Sequence, residues 1–228
     1  MRILLTNDDG LHAPGLQTLA NWLRREHQVF LVAPTIECSN CGHCVTVRKP
    51  LRCEQVGSDE WRVNGFPADC IRVARHHLNL TVDCVISGIN PGGNLGVDIA
   101  MSGTCAGARE AAICGWRSAA ISQVRKAGVT LDWAATVTRA LEAWRETLAM
   151  PTSTAGFWNI NLPAVAPDLP TPPLVLARPE PAGLSFAFEA TDDGLRYRSD
   201  YHNRPRGEDT DVAVCFGGAV AATFLSIV

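Results

Sequence analysis

The run Arg2-Ile3-Leu4-Leu5-Thr6-Asn7-Asp8-Asp9-Gly10 decides how this chain is read. Ile3, Leu4 and Leu5 make the short, uninterrupted apolar segment of a strand buried on both faces of a parallel sheet, and the segment stops abruptly at two adjacent acids. Ligands of open α/β sheets bind beyond the carboxyl ends of strands, so Asp8 and Asp9 stand where a site belongs. Neighbouring carboxylates repel each other unless something neutralises them, and a hard divalent cation, which prefers oxygen ligands, would do so. Asn-Asp-Asp-Gly is also ordinary turn chemistry, and this stretch alone leaves both readings open.

Downstream, Pro14-Gly15 opens a predicted helix with Leu16, Leu19, Ala20 and Leu23 on one face, and Val29 to Ala33 forms a second strand broken by Pro34. Such a βαβ start predicts a doubly wound parallel sheet. Residues 34–43 read as a polar loop, followed by an excursion of short strands at Val45 to Val47, Leu51 to Cys53 and Trp61 to Val63. After the turn Asn64-Gly65-Phe66-Pro67 a helix is predicted to about Leu78, burying Cys70, Val73, Ala74 and His77. Val82 to Ser87 is a strong buried strand that empties into the glycine-rich loop from Gly88 to Gly96. An Ala-rich helix begins at Ser102-Gly103-Thr104, capped by Ser102 or Thr104, and runs to Cys114. Arg117 to Ser122 supplies the next strand, Val137, Leu141, Trp144 and Leu148 line a further helix, and Asn159 to Leu162 reads as another strand.

Pro163, Pro167, Pro170, Pro172 and Pro173 then mark a semi-rigid linker. Beyond it Leu174 to Leu176, Ser185 to Phe188 and Leu195 to Tyr197 alternate like strands of an antiparallel arm, and Val220 to Val228 ends the chain as an apolar strand. We expect an α/β fold: a three-layer αβα, Rossmann-like, mainly parallel sheet with an antiparallel C-terminal arm. Residues 1–162 would be the catalytic core, and residues 163–228 the linker, the arm and a final strand completing the core.

Composition narrows the function classes. The chain has 228 residues, 46% hydrophobic and 19% charged, with a net charge of -3, which describes a globular protein without the basic excess needed to grip duplex nucleic acid. No stretch reaches roughly 18 consecutive apolar residues, so no membrane partner is expected. Met1-Arg2 passes directly into the first strand without the n-region and apolar h-region of a signal peptide, from which a cytoplasmic location is expected. In a reducing compartment the 9 cysteines would stay unpaired, and Cys70, Cys84, Cys105 and Cys114 lie in apolar patterns as small core residues.

Three loops at one sheet edge carry oxygen donors: Asp8 and Asp9 on the first, Ser39 on the second, Asn90 and Asn94 on the third. Carboxylate, hydroxyl and amide oxygens suit one Mg²⁺ or Mn²⁺ ion and need no histidine. The glycine-rich loop and the helix start at Ser102-Gly103-Thr104 present backbone N–H groups for an anion. Candidates to hold phosphate or substrate are Asn7, Asn94, Gly96, Ser102, Gly103 and Thr104. Cation and anion cradle together point to phosphate chemistry.

These residues resemble the survival protein SurE nucleotidases, metal-dependent phosphatases of nucleoside monophosphates. The motifs run in order: Arg2 to Gly10 with His12-Ala13-Pro14-Gly15, Ala33-Pro34 with Ser39, Ser87-Gly88-Ile89-Asn90 with Gly92, Asn94 and Gly96, Ser102-Gly103-Thr104, Asn159-Ile160-Asn161-Leu162-Pro163, and Thr210-Asp211 followed by Gly218. The resemblance implies that Asp8, Asp9, Ser39 and Asn90 bind one divalent ion. It also implies 5′ or 3′ nucleotide substrates, and a dimer or tetramer assembled through the C-terminal arm. Attack in line by a water that the cation activates, or that Asp8 or Asp9 orients, would release phosphate; a covalent aspartyl-phosphate is the competing route.

The second loop departs from the family pattern. Cys38, Cys41 and Cys44 stand at C-x2-C-x2-C with Cys53 further on, a spacing that can hold zinc or an iron–sulfur cluster, so a non-catalytic metal or redox sensor is the alternative function. A dinucleotide-binding oxidoreductase is disfavoured, because no G-x-G-x-x-G follows the first strand. The chain ends at Ser226-Ile227-Val228 where family members commonly continue, which leaves the assembly state open. His12 is expected near the site, and His76-His77 reads as a surface and core pair. The segment Arg196 to Arg204 reads as a solvated hairpin, with a nucleobase contact as its functional alternative.

Overall fold

Strand β1 (Arg2–Thr6) lies inside a sheet of nine strands because its side chains alternate between two apolar faces. Ile3 and Leu5 point into one core, with Leu16, Leu19 and Leu23 of α1 (Pro14–Leu23) and Val137 and Leu141 of α5 (Trp133–Ala149). Leu4 points into the other, with Cys70, Ile71 and Ala74 of α2 (Pro67–His76) and Ala111 of α4 (Gly103–Ile113). Each fully buried Leu or Ile contributes about 1.5–3 kcal/mol, so the alternation alone fixes which side of β1 each helix covers. This is the expected three-layer αβα fold, and the computed structural model describes residues 1–152 and 154–227 of it.

The remaining strands are β2 (Gln28–Pro34), β3 (Cys53–Gly57), β4 (Glu60–Val63), β5 (Cys84–Asn90), β6 (Arg117–Gln123), β7 (Gly156–Leu162), β8 (Leu174–Leu176), β9 (Phe186–Thr191), β10 (Gly194–Ser199) and β11 (Val220–Ser226). The large sheet runs β3-β4-β2-β1-β5-β6-β7-β11-β8. Its centre from β4 to β7 is parallel, while β11 enters antiparallel to β7 and β3 antiparallel to β4. The chain first builds outward from β1 through β2, then returns to β5 on its other side. That reversal makes the β1/β5 boundary a topological switch point, where ligand crevices form.

Several expected elements fall differently. Val45 to Val47 is irregular, and β3 begins at Cys53 rather than at Leu51. α2 stops at His76, so His77 is exposed instead of buried, and His76 is exposed as well. Leu174 to Leu176 does not belong to the arm: as β8 it pairs in parallel with β11 in the main sheet. Among the described residues only β9 and β10 form the antiparallel arm. The closing strand ends at Ser226, and Val228 lies outside the described residues. Two short helices, α3 (Asp98–Met101) and α6 (Asp211–Phe216), had no periodicity long enough to announce them. Among the described residues no helix is long and apolar enough to cross a membrane.

Candidate active site

Because β2, β1 and β5 are neighbours, the three loops after them meet in one cleft of about 400 Å³, lined by Asp8, Asp9, Ser39, Asn90, Asn94 and Ser102. Asp8 is 5% exposed. Its Oδ1 accepts a 2.6 Å hydrogen bond from the Thr104 hydroxyl, and its backbone carbonyl accepts from Cys38 N at 2.7 Å. Burial pushes the Asp8 carboxyl above the usual range against the hydroxyl and backbone N–H of Thr104, which both favour its charge. Burial, then the neighbouring Asp8 and Glu37, pushes Asp9 up to about 7. Asp9 Oδ2 is buried with no hydrogen-bond partner among the described residues.

A buried carboxylate oxygen without a donor is costly, and a second acid beside it adds repulsion. One added divalent cation relieves both costs. Asn90 donates its amide N–H to Gly92 O at 2.9 Å, which leaves the amide oxygen for a ligand, and the Ser39 hydroxyl spends its hydrogen on Glu37 Oε1 at 2.6 Å, which leaves its lone pairs. Two carboxylates, a hydroxyl and an amide oxygen are the donor set of a hard ion, so the residues present fit the expected group.

The helix start is used differently from expectation. Ser102 is the cap, its Oγ accepting from Cys105 N at 3.0 Å, but the anion held by the first turn of α4 is Asp8 itself. A Cβ on Gly103 would stand 2.7 Å from Asp8 Cβ and 2.9 Å from Cys41 Sγ, so only glycine lets the helix press this close. Asn7 closes the first loop on Gly10, donating to its carbonyl at 2.9 Å and accepting from its amide at 3.2 Å. Asn94 lines the cleft with its amide nitrogen committed to Ser122 Oγ at 2.7 Å. Gly96, in the left-handed region at φ +54, gives its N–H to Asp211 Oδ2 at 2.8 Å. That amide is spent on the Thr210-Asp211 motif, which ties the third loop to the base of the arm. His12 is exposed and does not line the cleft.

The arm closes the far side. Leu184, Tyr197, Ser199 and Tyr201 line the cleft, so this part of the hairpin is not simply solvated. The Tyr201 hydroxyl donates to Gly93 O at 3.2 Å. Arg204 pairs with Asp98, donates to Leu95 O at 3.1 Å and lies 5.1 Å from the Tyr201 ring. Glu37, Asp98 and Leu184 had no local sequence signal, since their place in the site depends on chain crossings far along the sequence.

The cysteines are all free. Cys70, Cys84 and Cys105 are buried as expected, while Cys114 is half-buried against the α2 side of the sheet. Cys38 Sγ donates to Ile36 O at 3.3 Å and Cys41 Sγ to Gly42 O at 3.4 Å, and burial pushes Cys41 up to about 12. Among the described residues no three His, Cys, Asp or Glu side chains gather to hold a metal, so Cys38, Cys41, Cys44 and Cys53 are not assembled as the alternative soft-metal set. A site of two carboxylates completed by Ser39 and Asn90 lies outside that count.

The family model "Survival protein SurE" matches residues 3–176. A relative from Nostoc sp. is 40% identical over 227 residues, spanning 100% of both chains. The 5'-nucleotidase SurE of Geotalea daltonii is 37% identical over 225 residues, covering 91% of this chain and 90% of its own. The crystal structure of the SurE protein from Aquifex aeolicus superposes with a TM-score of 0.85 at 28% identity, covering 99% of this chain and 93% of that one.

Proposed function

Since the chain belongs to the SurE family of survival proteins, we propose that it is a 5′-nucleotidase whose phosphomonoester hydrolysis depends on one divalent cation held by Asp8, Asp9, Ser39 and Asn90. The single observation that carries the metal dependence is the pair of a buried Asp8 and a half-buried Asp9, with an Asp9 oxygen that no described donor satisfies. A Mg²⁺ or Mn²⁺ ion bound there would supply Lewis-acid neutralisation of the charge developing on the phosphoryl group. Thr104 fixes Asp8 in place. With Asp8 so held, Asp9 is the carboxylate left to orient a water for in-line attack.

Tyr197 and Tyr201, on the far wall of the cleft, offer faces on which a base can stack. The reading includes 3′-nucleotides, because recognition by cation and carboxylates does not depend on which ribose oxygen carries the phosphate. The paired face of the β9–β10 hairpin shows Phe186, Phe188, Leu195 and Tyr197 to solvent, an apolar surface suited to a second copy of the chain. Replacing Phe186 and Phe188 by Ser should lower the sedimenting mass of the assembly; an unchanged mass would remove the arm from it. The function itself is tested by phosphate release from AMP in Mg²⁺, Mn²⁺ and chelator. Full turnover in chelator would defeat the metal-dependent reading.

A further inference from the structure

The loop that carries Ser39 has no regular structure, yet Ser39 must be set against Asp8 and Asp9 on a different loop. Backbone bonds hold its first half: Cys38 N donates to Asp8 O at 2.7 Å and Gly42 N to Met101 O at 2.8 Å. Its second half is held by two carboxylates from the helices beneath. Asp69 of α2 accepts from the Thr46 N–H at 2.9 Å and the Thr46 hydroxyl at 2.8 Å. Glu110 of α4, 2% exposed, meets His43 Nε2 at 2.8 Å through Oε2 and accepts from Arg72 Nε at 2.5 Å through Oε1.

Arg109 Nη1 lies 3.3 Å from His43 Nδ1. A guanidinium can only donate, so Nδ1 accepts and Nε2 carries the proton that is given to Glu110. The ring is thereby fixed in tautomer and in orientation. Glu110 sits on the helix whose first residues, Gly103 and Thr104, hold Asp8, seven positions or about 10 Å along its axis. α4 is therefore one rigid frame that grips the first donor loop at its start and the second donor loop two turns later.

We propose that His43 and Glu110 are positioning residues that set Ser39 at the cation site by clamping its loop to α4. The inference rests on the cation reading given above. Partners that orient a ligand from outside commonly change metal affinity by 10–100-fold when lost. The direct readout is Mn²⁺ binding, followed as the loss of free Mn²⁺ by electron paramagnetic resonance, with thermal melting on each variant. His43→Leu and Glu110→Leu should each weaken Mn²⁺ binding by about 10-fold. His43→Gln, which keeps a donor near the Nε2 position, should stay within about 3-fold of the parent chain, a loss of well under 1 kcal/mol. Arg72→Met, which breaks a Glu110 contact without touching the loop, should lower the melting temperature and leave Mn²⁺ binding unchanged. Wild-type affinity in His43→Leu, equal losses in His43→Gln and His43→Leu, or a loss in Arg72→Met matching that in Glu110→Leu would each overturn the clamp. Should Glu110→Leu not fold, the two His43 variants on their half-exposed loop decide the matter. A parent chain that binds no Mn²⁺ overturns the cation reading, and the clamp with it; a parent that binds it alongside variants that bind equally well overturns the clamp alone.

Discussion

Asp8 and Asp9, on the loop that meets the start of α4, and Glu110, two turns along that helix, are carboxylates placed in opposite circumstances. Burial would raise Glu110, but the hydrogen bonds from His43 and Arg72 outweigh it and hold the acid below its ordinary value. Burial also acts on Asp9, yet Asp9 faces the negative Asp8 and Glu37 and rises to about 7. A carboxylate that holds the fold together brings its partners with it. One that serves chemistry leaves the partner's place open, which is why perturbed acids mark sites.

The most severe way to break this contrast is to remove the unpaired charges. Asp8→Asn with Asp9→Asn should lower phosphate release from AMP by about 1,000-fold or more, because the charge stabilisation of the transition state goes with them. The same pair should not lower the melting temperature in chelator, since it removes a repulsion; a chain that unfolds instead would make these acids structural. Next in size is the side-chain donor that holds Asp8. Thr104→Val should weaken Mn²⁺ binding by about 10–100-fold and cost roughly 1–3 kcal/mol of stability, measured by metal titration and chemical denaturation. Unchanged binding would mean that Asp8 needs no fixing.

Smaller effects sharpen the comparison. Tyr197→Ala should raise KM for AMP by about 5-fold or more, the value of roughly 1 kcal/mol of base stacking, and leave KM for ribose 5-phosphate as it was. An equal rise for both substrates would take the arm out of base recognition. The smallest effect is a pH dependence. Asp9 has an ordinary value of 3.8 and a folded value of about 7, so the folded chain binds the extra proton and the metal-free protein loses stability as pH rises between those values. In chelator it should melt about 2–4 °C higher at pH 5.5 than at pH 7.5, the scale of one kcal/mol in a chain of this length. Asp9→Asn should remove that difference. Glu110 acts with the opposite sign: its stabilisation is present above 4.5 and is lost only as pH falls through its lowered value. A slope that survives in Asp9→Asn would assign the titration to other groups.

Much of this was legible along the chain. The apolar run ending in two acids placed β1 and the first loop, and the 3.6-residue spacing of Leu16, Leu19, Ala20 and Leu23 placed α1, because burial on one face leaves a periodic trace. β8 was misplaced for the converse reason: three residues are too few to say which sheet they join. The sequence marks Thr104 and Gly96 as contacts to phosphate. Both instead serve acids of the chain itself, Asp8 and Asp211.

By itself, then, the sequence determined the αβα layering, the strand ends that carry the donors, and the family. Each follows from local periodicity or from contiguous motifs. Only the tertiary structure decided which donors are spent internally, which oxygen of Asp9 stays without a partner, and how His43 reaches Glu110 across 67 positions of chain. Those outcomes depend on distances between segments that the packing of helices on the sheet brings together, and no pattern within a single segment encodes them.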